Sequence, residues 1–188
     1  MIQQPPGTVY ISFSAEINPN TTETLIATLT NCANNGVQHV YIMLSTPGGA
    51  VMNGMNLYNV MRALPLRITM HNVGNVDSIG NAIFVAADER YACPNSTFMF
   101  HGVGFDVQTM RLEQKNLQEL LDGLLHDQER IGRILQERSN LNAGETVELF
   151  REARTKDATF ALEKGLIQDI RDVDIPVGST VIALVFQR

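Results

Sequence analysis

The chain has 188 residues, 44% of them hydrophobic and 18% charged, enough to bury a sizeable core and in the size range of one domain, residues 1–188. Its formal net charge is −6, with no window that gathers Lys and Arg on one face, which excludes nucleic acid as the expected partner. Met1 to Gly7 carries neither a basic nor an apolar leader pattern, and no apolar run is long enough to cross a bilayer, so a cytoplasmic protein with no membrane contact is expected.

Val9-Tyr10-Ile11-Ser12-Phe13 alternates with period two ahead of the turn-forming Asn18-Pro19-Asn20, which predicts a strand. A helix capped by Thr21 or Thr22 should follow, with Leu25, Ile26, Leu29, Cys32 and Ala33 at helical spacing and Asn35-Gly36 as its stop. Val37 to Leu44 reads as a second strand, Pro47-Gly48-Gly49 as a tight turn, Met52 to Leu64 as a helix ended by Pro65, and Arg67 to Val73 as a third strand. This order predicts right-handed crossovers and a parallel sheet. Ile79 to Ala87 reads as a small-residue helix, and Thr97 to Phe100 as a buried strand.

Beyond them, about 109–138, Leu117, Leu120, Leu121, Leu124, Leu125, Ile131, Ile134 and Leu135 make one apolar stripe on a helix of unusual length. At 1.5 Å per residue it spans roughly 40 Å, longer than the body of a small domain, so part of the stripe should project and pack on a neighbouring subunit. The alternative is a helix broken at Gly123 or Gly132 and folded back. Leu141 to Arg154 and Ala158 to Gly165 are further helices, and about 179–187 is an extra β-prone strand. Cys32 and Cys93 fit small buried hydrophobes better than a disulfide or a metal site. His39, His71 and His126 show no metal-ligand spacing, so neither metal nor cofactor is expected.

Three local features carry chemistry. Ser45-Thr46-Pro47-Gly48-Gly49 runs a buried strand into paired glycines at a helix start, where free N–H groups of Gly48 and Gly49 can face an anion; the alternative is an ordinary tight turn. Gly74-Asn75-Val76-Asp77-Ser78-Ile79-Gly80 lifts Ser78 to a strand-to-helix handover, with the Ile79 N–H as a further oxyanion donor; the alternative is a serine N-cap. Phe98-Met99-Phe100-His101-Gly102 ends an apolar strand in His101, which is structural if alone but is the base a serine needs to become a nucleophile.

In this order, and with Pro94-Asn95-Ser96 between the last two, these motifs resemble the Clp protease proteolytic subunit family, from about Val9 to Asp169. The long helix is similar to that family's handle helix, and Ala158 to Leu166 to its Ala-x-x-Ala-x-x-x-Gly-Leu segment. The resemblance implies a ClpP/crotonase-like α/β fold, a repeated β-β-α superhelix with a protruding long handle helix. It also implies a serine endopeptidase: Ser78 attacks, His101 carries the proton, and Gly48 and Ile79 hold the oxyanion. Peptides or unfolded proteins would be the substrates, inside homo-oligomeric rings stacked through the handles. A Clp-type ATPase is the implied partner, against which the short segment before the first strand counts.

The chain departs from that pattern at the triad acid. Counted back from Gly165, the family's aspartate falls on Ala153, which leaves Glu152 and Asp157 as the nearest carboxylates, each with the alternative of a solvated helix charge. Two other readings follow: a non-catalytic ring subunit or scaffold that lost the triad, and a crotonase-type acyl-CoA hydratase or isomerase that shares the fold and the paired donors. A lysine base, Lys156 or Lys164, is a remoter one.

Overall fold

The first strand forms where alternation predicts it. β1 (Thr8–Ser14) buries Val9, Ile11 and Phe13 and pairs in parallel with β2 (His39–Thr46), from Thr8 opposite His39 to Ser14 opposite Ser45. The computed structural model describes residues 7–104 and 113–186. Between these strands runs α1 (Pro19–Asn34), which starts earlier than Thr21 or Thr22 would cap it. Asn18 is the cap: its side chain accepts the Thr21 N–H at 3.0 Å while Thr21 Oγ1 accepts the Asn18 N–H at 3.0 Å. Pro19 takes the first turn, where its missing N–H costs nothing, so the expected turn is the helix start.

After α2 (Val51–Ala63), β3 (Arg67–Asp77) runs four residues beyond the expected end and forks. Its first part, Thr69 to Asn72, pairs with β4 (Glu89–Ala92), and its last part, Asn75 to Asp77, pairs with β5 (Thr97–Met99). Between them α3 (Gly80–Phe84) is shorter than the predicted 79–87. Arg138 explains the early stop, because its guanidinium donates to the Val85 and Ala87 carbonyls at 3.0 and 2.9 Å and Arg90 reaches Val85 as well. With those carbonyls held, the chain turns directly into β4.

α4 (Gln114–Arg138) is unbroken at both Gly123 and Gly132, and its 25 residues span about 37 Å. Residues 109–112 of the expected helix lie outside the described residues. Ile131 and Leu135 are buried against the body, whereas Leu117, Leu121 and Leu125 are 51%, 47% and 52% exposed at a spacing of four. Leu120 and Leu124 of the same stripe are half-buried and line a groove with Val51, Met52 and Val103, so the exposed part is the edge formed by Leu117, Leu121 and Leu125.

α5 (Ala143–Glu152) then leads into β6 (Thr155–Asp157), α6 (Ala158–Glu163), β7 (Asp169–Ile170) and β8 (Thr180–Leu184). β6 pairs antiparallel with β5, β7 in parallel with β4, and β8 in parallel with β1, giving the order β6-β5-β3-β2-β1-β8 with β4 and β7 on the branch. This mixed α/β sheet with a long helix is the architecture implied by the sequence. Two histidines lock into its polar face: His39 bridges Thr8 and Thr69, and His71 accepts from or donates to Tyr41 at 2.6 Å, while burial pushes Tyr41 up to about 12. No helix among the described residues is long and apolar enough to cross a membrane.

Candidate active site

The carboxyl ends of β2, β3 and β5 lie side by side, where parallel sheets leave a crevice for ligands. Asp77 at the end of β3 is opposite Met99 at the end of β5, and the next residue, Ser78, donates its N–H to the Met99 carbonyl at 2.9 Å. Ser78 then takes φ 57, in the left-handed region that costs a non-glycine residue about 1–2 kcal/mol. Asn81, 1% exposed, holds it there by donating to the Ser78 and Met99 carbonyls at 3.2 and 2.8 Å. Ser78 is not a cap: α3 begins after Ile79 with no side-chain cap bond, and Ser78 Oγ has no hydrogen-bond partner among the described residues.

The paired glycines pass directly against this serine. Gly48 has φ 86, and a Cβ on it would lie 2.6 Å from Ser78 Cβ and 2.7 Å from the Asp77 carbonyl oxygen. Gly49 has φ 144 and faces the Ile17 carbonyl so closely that a Cβ would sit 2.2 Å from it. Only glycine fits either position. The Gly48 N–H is already used, donating to Thr46 Oγ1 at 3.1 Å, whereas those of Gly49 and Ile79 meet no acceptor among the described residues. Of the three expected donors, Gly49 and Ile79 are the two left open. Thr46 is a residue that sequence reading missed, although a hydroxyl two residues before a glycine N–H is a common local turn.

His101 follows β5 and shares with Ser78 and Gly49 a cleft of about 80 Å³, walled by apolar Val51, Phe100 and Phe150. His101 Nδ1 lies 2.7 Å from the Gly102 carbonyl oxygen, and no hydrogen bond joins His101 to Ser78 among the described residues. A larger groove of about 690 Å³ shares Gly49, Val51, Val103 and Gly104 with the cleft and runs along α4.

Neither candidate acid hydrogen-bonds this imidazole among the described residues. Glu152 is bound by Lys156 at 3.0 Å, and that ammonium holds its carboxyl below the usual range. Asp157 accepts the Phe160 N–H at 2.8 Å and caps α6. Ala153, where the aspartate of the resembled pattern falls, is exposed and ends α5 in the left-handed conformation, φ 50. Lys164, the other lysine, pairs with Glu145 at 2.6 Å.

A strained serine and an imidazole in one cleft with Gly49, and two amide donors left open beside that serine, are the parts from which serine hydrolases are assembled. The chain belongs to the Clp protease family, whose sequence model matches residues 7–174. It is similar to the ATP-dependent Clp protease proteolytic subunit 2 of Thermobifida fusca (28% identical over 141 residues, 70% of this chain and 64% of the relative). It is also similar to the subunit of the same name from Pseudomonas aeruginosa (27% over 147 residues, 73% and 70%). A third relative is the proteolytic subunit 1 of Leifsonia xyli subsp. xyli (25% over 163 residues, 81% and 77%). The match thus reaches just under two thirds of the first relative's length.

Proposed function

We propose that this chain is a serine peptidase that cleaves peptide bonds through an acyl-enzyme on Ser78. The observation that carries this reading is Ser78 itself, held at φ 57 with its hydroxyl unpartnered among the described residues, in one cleft with His101 and Gly49. In the first step Ser78 Oγ bonds to the scissile carbonyl carbon while its proton passes to His101 Nε2, and the carbonyl oxygen becomes an oxyanion facing the Gly49 and Ile79 amides. The C–N bond then breaks, His101 returns the proton to the leaving amine, and a water activated by the same nitrogen releases the acyl group. The apolar walls give the cleft an affinity for an aliphatic or aromatic side chain next to the scissile bond.

Incubation of the folded protein with a fluorophosphonate probe tests this. The expected result is one adduct, mapped to Ser78 and absent in Ser78→Ala and His101→Ala. Absence of any adduct would favour the second reading, a non-catalytic ring subunit, which draws on Ala153 and on the missing Ser78–His101 hydrogen bond.

The assembly belongs to the same proposal. Leu117, Leu121 and Leu125 form an exposed apolar edge on α4 that another copy's α4 would cover, stacking rings around an enclosed chamber for unfolded protein. The relatives' names are those of ATP-dependent subunits, so the partner that this reading carries is a Clp-type ATPase, in the cytoplasm. Leu121→Asp should convert the stacked particle to a smaller species in sedimentation velocity. An unchanged profile would remove the handle from the interface.

A further inference from the structure

Among the described residues no carboxylate hydrogen-bonds His101, yet the ring is not left unoriented. We propose that the main-chain carbonyl of Gly102 takes the orienting role, so that the catalytic array of this chain is Ser78, His101 and a backbone oxygen; this rests on the peptidase reading above. A carbonyl can only accept, so the 2.7 Å contact requires that His101 Nδ1 carry the proton. In the neutral ring the lone pair is then on Nε2, which has no hydrogen-bond partner among the described residues. That is the tautomer a serine base needs, and it is what a triad aspartate otherwise selects.

The residue that bears the carbonyl is itself held on its amide side and at its Cα. The Gly102 N–H donates to the Phe150 carbonyl at 3.1 Å, and on its other side the Gly102 Cα faces Gln128 of α4, whose Oε1 would be 2.8 Å from an added Cβ. Phe150 lies in the last turn of α5, the turn that ends at Ala153. The segment that would present an aspartate in the resembled pattern thus supplies a main-chain acceptor here, one that fixes Gly102 rather than touching the imidazole. Glu152 and Asp157 are left to Lys156 and the α6 cap.

A peptide dipole selects the tautomer as a carboxylate does but brings no full charge to stabilise the imidazolium. The ring nitrogens report this directly. In protein labelled with ¹⁵N-histidine, with His101→Gln to assign the resonance, neutral His101 is expected to show a protonated Nδ1 and an unprotonated Nε2. Ala153→Asp, at an exposed left-handed position that aspartate tolerates, should change kcat/KM on a model peptide by less than about threefold. A ring protonated at Nε2, or a rise of about a hundredfold in Ala153→Asp, would overturn the proposal.

Fluorophosphonate labelling of the same sample separates the two claims. Labelling at Ser78 with an Nε2–H ring overturns the carbonyl's role and leaves the peptidase standing. An Nδ1–H ring without labelling overturns the catalytic use of the contact together with the peptidase reading.

Discussion

Ser78→Ala is expected to lower peptide turnover by about 10⁴–10⁶-fold with little change in melting temperature, whereas Ser78→Gly should lose as much activity and melt higher. Both remove the nucleophile, but they differ in what they do to the strain. Alanine at φ 57 inherits the cost of roughly 1–2 kcal/mol carried by a Cβ in the left-handed region, and glycine removes it. Against that relief stands the extra backbone entropy of glycine, about 0.5–1 kcal/mol, so the net gain is on the order of 0.5–1 kcal/mol. At about 2–4 °C per kcal/mol for a chain of this size, Ser78→Gly should melt a few degrees above Ser78→Ala. A fluorogenic peptide assay and calorimetry read the two effects separately. Parent-level hydrolysis in either variant would end the case for Ser78, and a lower melting temperature in Ser78→Gly would show that the turn is not strained.

Gly49→Ala should be costly in both respects, lowering turnover by about 10²–10³-fold, the range of a lost oxyanion donor. The added Cβ would meet main chain, 2.2 Å from the Ile17 oxygen, and no rotamer can relieve that contact. Ile17 is itself tied to the glycine loop, donating to Gly48 O at 2.7 Å and accepting from the Ala50 N–H at 2.8 Å. The loop must therefore shift as a unit, carrying the Gly49 N–H away from the cleft, and the strain at φ 144 adds on the order of 1–3 kcal/mol of destabilisation. Gly123→Ala is the control, since nothing lies within 4 Å of a Cβ there and the helix should gain about 1 kcal/mol. A Gly49→Ala protein with parent turnover and parent melting would remove this loop from the mechanism.

Local chemistry made some of these features legible in the sequence. Alternation located β1, the stripe located α4, and the motifs picked out Gly49, Ser78 and His101, which the fold brings to one cleft. What stayed hidden depends on partners distant in sequence. β4, β6 and β7 have four, three and two residues, too few for a period to show, and exist because β3, β5 and β4 offer them edges. The early end of α3 is set by Arg138, on another helix.

At the site, the residue types were readable and their conformations were not. A serine before a helical segment reads as a cap, and only the backbone, with φ 57 at Ser78 and Asn81 donating to its carbonyl, reveals that the turn is instead left-handed. Likewise Ala153 reads as a missing acid until its role as the left-handed end of α5 is seen.

The pairing of β8 with β1 bears on how this protein survives transient opening. Val9 to Phe13 is an apolar strand whose outer edge is covered by Thr180 to Leu184, and Phe186 lays its ring edge-on to Phe13 at 5.6 Å. β8 is itself mostly exposed, so little more than this ladder and a few part-buried side chains retains it, and it should be among the first segments to detach. When it does, a row of free N–H and C=O groups on a strand rich in Val, Ile and Phe faces solvent, the template on which strands of other molecules add to form aggregates. β8 should thus act as a cover over that edge, and faster return of the strand should leave the protein less prone to aggregate.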